Sequence, residues 1–181
     1  MSANPEPPAV IMIRPNLENI PDYRLPPGFR CRWYQPGAGR DWTAVWQAAE
    51  KWLTITEETF RLQFGRDETL LGQRQFFIDD PDGRPVATST AWYNNSAVGT
   101  VHWVAIVPDC QGRGLGKPLM TITCQRLRDL GHTSAWLGTH VVRVPAINLY
   151  LHFGFVPDIQ TDAQRASGEQ LKPHLKHSVT L

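Results

Sequence analysis

Hydrophobic positions along the chain fall into short alternating runs and longer helical stripes, punctuated by proline and glycine. The run FRCRWYQ, beginning at Phe29, alternates as a strand. After the Pro36-Gly37 break, Trp42, Val45, Trp46, Ala49 and Leu53 recur at helical spacing, which predicts a helix capped by Asp41 that buries a tryptophan face. A second helix is expected over 57–64, stopping at Gly65, and RQFFI and PVATSTAWY read as a hairpin around the turn DDPDGR. VHWVAIV (101–107) is the next strand. A helix over 117–130 then presents Leu119, Met120, Thr123, Cys124, Leu127 and Leu130 on a wide inner face and closes at Gly131. The pattern finishes with strand SAWLGTHV, helix PAINLYLHF ending at Gly154, strand FGFVPD, a polar loop over 161–172 and a last strand near HSVTL. Such an order predicts an α/β fold built on a mixed sheet with helices on both faces.

A length of 181 residues, 41% of them hydrophobic and 19% charged, suits one full-sized core. The prolines of residues 4–27 lack amide donors and resist helix, so 1–27 reads as an extended N-terminal arm and 28–181 as a single domain. A formal charge of +1 with no basic block gives no electrostatic case for nucleic acid or an anionic membrane surface. No apolar run approaches the ~20 residues that span a bilayer, and MSANPEPPAV lacks the basic-then-apolar pattern of a leader. Cys31, Cys110 and Cys124 form no framework and no metal-binding spacing, and they read as structural cysteines in a reducing compartment. The expectation is a cytoplasmic protein without a metal, and its assembly as a homodimer stays open.

The chemistry concentrates in residues 101–120, where a strand breaks at Pro108 into a loop with Gly112, Gly114 and Gly116 and then opens a helix. Unpaired amides and the dipole at a helix start favour a phosphate there. A Walker loop is excluded, since Gln111 sits where its first glycine belongs and Pro118 follows Lys117. The dinucleotide fingerprint fails as well, because Lys117 takes the place of its third glycine. Oxidoreductase and phosphotransferase readings fall with them. A capping loop whose glycines serve only turn geometry is the plain alternative.

Gln111-Gly112-Arg113-Gly114-Leu115-Gly116 resembles the Q-x-x-G-x-G pyrophosphate loop of the GCN5-related N-acetyltransferases, the GNAT family. Further on, Ala146, Leu149, Tyr150, Gly154 and Phe155 resemble that family's second signature, A-x-x-L-Y-x-x-x-G-F. The likeness runs over about 29–181 and is strongest over 99–157. It implies a mostly antiparallel sheet with a splayed parallel strand pair, and acetyl-coenzyme A as cosubstrate. The pyrophosphate would lie on the amides of residues 111–116, and the pantetheine arm along the edge groups of Val104, Ala105, Ile106 and Val107, where Pro108 ends the ladder. Arg113 and Lys117 would add charge to the phosphates, or else be solvated cations at a helix end.

Acetyl transfer needs a deprotonated amine, an oxyanion donor and a proton for the leaving thiolate. The resemblance implies Tyr150 as the general acid, with packing on the coenzyme as the alternative, and Asn148 as a coenzyme contact. A backbone amide within 104–106 would serve the oxyanion. Many relatives carry a glutamate where this chain has Thr100 and Gly138. His102 and, second to it, His140 are the candidate bases, against simple packing or a water-borne proton. Trp92, Tyr93, Trp103 and Trp136 fill the core or line an aromatic acceptor pocket. The segments 51–71 and 161–172 would shape the acceptor site, with Glu57, Glu58, Asp67 and Glu68 available to a cationic amine. The expected function is acetyl transfer to the primary amine of a small molecule, with a protein amino group as the lesser expectation and a non-catalytic acyl-coenzyme A sensor as the alternative.

Overall fold

The computed structural model describes residues 8–93 and 97–176. Its strands are β1 (Ala9–Arg14), β2 (Arg30–Trp33), β3 (Gln75–Asp79), β4 (Pro85–Tyr93), β5 (Val98–Ile106), β6 (Ser134–His140) and β7 (Val156–Pro157). Among the described residues they form one sheet in the order β2-β3-β4-β5-β6-β1-β7. β5 and β6 pair in parallel and every other neighbouring pair is antiparallel. The helices are α1 (Gly39–Ala49), α2 (Glu57–Phe64), α3 (Glu68–Arg74), α4 (Gly116–Asp129), α5 (Val144–His152) and α6 (Asp162–Leu171). No helix among the described residues is long and apolar enough to cross a membrane.

Residues 86–91 of β4 are all buried, so both faces of the sheet must be covered there. On one face, Thr123 of α4 donates its hydroxyl to Ser89 Oγ at 2.8 Å. On the other, Phe64 of α2 meets Trp92 edge-on at 5.6 Å and Trp42 of α1 edge-on at 5.6 Å. α5 joins α4 through a cluster that includes Met120, Cys124, Leu127, Leu137, Ile147, Tyr150 and Phe153.

The segment read as an arm is part of the sheet. β1 pairs with β6 from Ala9↔His140 to Arg14↔Ala135, and Met12 is fully buried. Pro8 and Pro15 remove only their own amide donors, and the six residues between them keep theirs. Arg14 is also buried and donates its guanidinium to the Phe153, Asn16 and Glu18 carbonyls, the first of which closes the last turn of α5.

Asp41 does not cap α1. The helix starts at Gly39 without a side-chain cap, while the Asp41 carboxylate accepts from Arg32 Nη2 at 2.9 Å. Leu53 lies beyond the helix and is 54% exposed. α3 was not foreseen, because seven residues are too few for periodicity to show; its signal is Asp67, whose carboxylate accepts from the Leu70 amide at 2.9 Å. Residues 162–171, read as a polar loop, form α6, where helix-forming Ala, Gln, Arg and Glu act without an apolar stripe. The strand expected near HSVTL lies outside the described residues.

The splay between β5 and β6 is present, with a different cause from the one expected. The parallel ladder covers only Val98↔Ser134 to Thr100↔Trp136, well before Pro108. Against β4, Thr90 pairs with His102 and Thr88 with Ala105, so β5 carries one extra residue at a β-bulge. Trp103 sits in that bulge with a φ of +50°. A bulge bends its strand, and this one turns β5 away from β6.

Candidate active site

The splay opens a cavity of about 320 Å³ between β5 and β6, roofed by α1 and α2 and closed at one end by α5. Holding a non-glycine residue in the left-handed region costs roughly 1–2 kcal/mol, so Trp103 needs support from its neighbours. Its ring meets Trp42 at 5.0 Å and Trp46 at 4.6 Å, both edge-on, and its Nε1 donates to Gln63 Oε1 at 3.0 Å. Core filling and cavity lining are thus one job for Trp103. Trp46 and Trp136 line the cavity as well. Trp92 and Tyr93 stack on each other at 5.1 Å away from it.

Tyr150, His102 and His140 come together on the cavity wall. Burial pushes the Tyr150 hydroxyl up to about 12, while the positive charge of Arg143 pulls in the opposite direction. That hydroxyl has no hydrogen-bond partner among the described residues. Burial also pushes His102 down to about 4, with its ring edge-on to Phe64 at 5.6 Å. Asn148 is not brought to this wall. Its amide donates to the Val144 carbonyl at 3.1 Å and accepts from the Lys176 amide, which satisfies both ends of the side chain.

Beyond the end of β5 and the short turn Pro108–Cys110 lies the glycine loop. Gln111 Nε2 donates to the Ile106 carbonyl at 3.0 Å, and Gly112 and Gly114 have φ of +73° and +82°. Gly116 begins α4, whose first turn has no side-chain cap and no acidic residue. The three glycines have different reasons. A Cβ on Gly112 would meet nothing within 4 Å, whereas one on Gly116 would lie 3.2 Å from Leu149 Cδ2, so Gly116 serves the close approach of α5. Arg113 lies over the Phe29 ring at 4.9 Å and Lys117 over the Tyr23 ring at 4.7 Å. Neither forms an ion pair with the described residues, so both charges stay available beside the loop. Ala105, Val107 and Leu115 turn their side chains into the core, which leaves only their backbone groups to a ligand.

Sequence reasoning missed Glu50 and Arg143. Glu50, at the C-terminal end of α1, has a side chain only 2% exposed; its Oε1 accepts from the Lys51 and Trp52 amides, and its Oε2 accepts from Arg143 Nη2, all at 2.8 Å. Burial raises its carboxyl, but these donors outweigh that and hold it below the usual range. The available signal was an acid at a helix C-terminus, where the dipole disfavours it and a specific partner is needed. The acids that the sequence did suggest are engaged elsewhere. Glu58 pairs with Arg61, Glu57 faces Arg40 at 3.9 Å, Asp67 caps α3, and Glu68 accepts from the Tyr34 hydroxyl and the Gly37 amide. From segment 51–71, Leu53 and Gln63 reach the cavity instead.

The sequence pattern of the Acetyltransferase (GNAT) family matches residues 35–155. The chain belongs to the GNAT family. The matched span holds the bulge, the glycine loop and the whole cavity wall, while β1 lies outside it. This GNAT chain is 28% identical over 75% of its length to the mycothiol acetyltransferase of Thermomonospora curvata, and 30% identical over 82% to that of Saccharomonospora viridis. It spans about half the length of these curated relatives, 47% and 52%. In fold it resembles a GCN5-related N-acetyltransferase from Sphaerobacter thermophilus, with a TM-score of 0.71, 19% identity, and 84% of this chain and 50% of that one covered. It also resembles the ribosomal-protein-S18-alanine N-acetyltransferase of Escherichia coli, with a TM-score of 0.60, 22% identity, and 74% and 79% covered. Among the described residues of this GNAT chain no group of three metal-ligating side chains gathers.

Proposed function

We propose that this chain is the catalytic domain of an acetyl-coenzyme A-dependent N-acetyltransferase acting on the primary amine of a small molecule. The observation that carries the reading is the cavity in the β5/β6 splay, whose wall bears a Tyr150 hydroxyl with no hydrogen-bond partner among the described residues. The residues fit the coenzyme: two left-handed glycines keep side chains off the loop, α4 starts without a cap or an acid, and Arg113 and Lys117 hold charge beside it on aromatic faces. The bound thioester would supply an activated acetyl group. Relatives bearing the name mycothiol acetyltransferase favour a small-molecule acceptor over a protein one.

In this reading the amides of residues 112–116 take the pyrophosphate, the expected Gln111 amide being already bonded to the Pro108 carbonyl, and the free edge of β5 takes the pantetheine arm. A backbone amide of residues 104–106, beside the bulge, faces the developing oxyanion. Tyr150 stays protonated across the physiological range and gives its proton to the departing sulfur. Proton removal from the acceptor falls to His140, because protonating His102 would place a charge in a buried aromatic wall. Two readouts test this. Acetyl-coenzyme A at ~100 times its dissociation constant should stabilise the fold by about 2.7 kcal/mol, while NAD and ATP do so weakly. With a panel of small amines the protein should then release free thiol and yield acetylated product. An unshifted melting temperature removes the coenzyme site, and a shift without thiol release points to an acyl-coenzyme A sensor.

A further inference from the structure

The Glu50–Arg143 pair spans the end of α1 and the start of α5, and both residues line the cavity that holds Tyr150. Glu50 is a poor base, since three donors already occupy its carboxylate. The arginine is the member with capacity left. One nitrogen of its guanidinium reaches Glu50, its carbon lies over the Trp52 ring at 5.4 Å, and its side chain is 30% exposed. A cation set between a buried carboxylate and an indole face cannot swing freely into solvent.

We infer that Arg143, held by Glu50 and Trp52, is a positioning residue for acetyl transfer, and that its fixed positive charge acts through Tyr150 to ease proton donation to the leaving sulfur. The inference rests on the acetyl-transfer reading. As the amine nitrogen forms its bond to the acetyl carbon, the C–S bond breaks and its electron pair stays on sulfur. Sulfur takes the Tyr150 proton, and the phenolate regains one from the proton that the amine releases through His140 and water. Burial makes that transient phenolate costly, and a nearby guanidinium lowers the cost. Arg143 is the residue at the N-cap of α5, the helix that carries Tyr150, and both side chains line the same cavity, so the guanidinium and the hydroxyl face one shared space.

A double-mutant cycle tests the inference. Glu50→Gln with Arg143→Gln neutralises the pair without stranding a buried charge. Such a variant should lower kcat on the order of 10-fold, with the KM for acetyl-coenzyme A and the coenzyme-induced melting shift kept within about twofold. Tyr150→Phe alone should lower kcat on the order of 10²-fold, and adding the neutral pair to it should cost less than about twofold more. If the neutral pair does not fold, Arg143→Lys enters the same cycle, and as a charged substitute it should lose less than Arg143→Gln. Multiplicative losses, or an unchanged kcat in the neutral pair, overturn the inference while leaving acetyl transfer intact. Absence of turnover by the unmodified protein with every amine, despite a melting shift, overturns both readings.

Discussion

Protonating His102 inside the fold would put a charge against the Phe64 and Trp103 rings, and burial therefore moves it from 6.5 down to about 4. The unfolded chain takes up this proton near 6.5 and the folded one only near 4. The stabilisation is thus complete above pH 6.5 and is lost as pH falls from 6.5 to about 4, amounting to up to about 3 kcal/mol. Chemical denaturation from pH 7 down to 4 should show His102→Gln losing less stability than the unmodified protein. Parallel curves would mean that His102 takes up its proton as readily in the fold as in the unfolded chain. In activity, His140→Gln should lower kcat on the order of 10²-fold while His102→Gln changes it little; the reverse result would move the base to β5.

At the scale of elements, α4 and α5 approach so closely at Gly116 that a Cβ there would sit 3.2 Å from Leu149 Cδ2. Gly116→Val should therefore strain the helix pair and destabilise by about 1–3 kcal/mol. Its effect on ligands should be general, weakening coenzyme and acceptor alike. Gly114 has a different reason, a φ of +82° in the loop and a Cβ position only in ordinary contact with Pro26. Gly114→Ala should cost coenzyme affinity more than acceptor affinity, by calorimetric titration of each ligand. Equal losses at Gly114, or a coenzyme-specific loss at Gly116, would reverse these assignments.

The whole molecule depends on β1, which lies between β6 and β7 and brings Met12 and Arg14 into the core. Removing residues 1–14 should abolish the cooperative melting transition, since an exposed edge on β6 and an uncapped α5 together exceed the marginal stability of a domain, about 5–15 kcal/mol. An unchanged transition would make β1 the dispensable arm that its prolines suggest. Much of the fold was legible in the sequence, because local causes set it. α2 ends at Gly65 as its spacing and glycine predict, the β3–β4 hairpin follows its turn residues, and the glycine loop shows in residue type alone. Tyr150, His102 and His140 were legible as candidates in the same way, through the motif and the strands that carry them. What remained hidden depends on partners distant in sequence. The bulge at Trp103 is held by Trp42, Trp46 and Gln63, the Glu50–Arg143 pair joins residues 93 positions apart, and the depressed basicity of His102 follows from what packs around it. Local pattern records the conformation a segment prefers, whereas strain, burial and charge pairing arise only when other segments close over it.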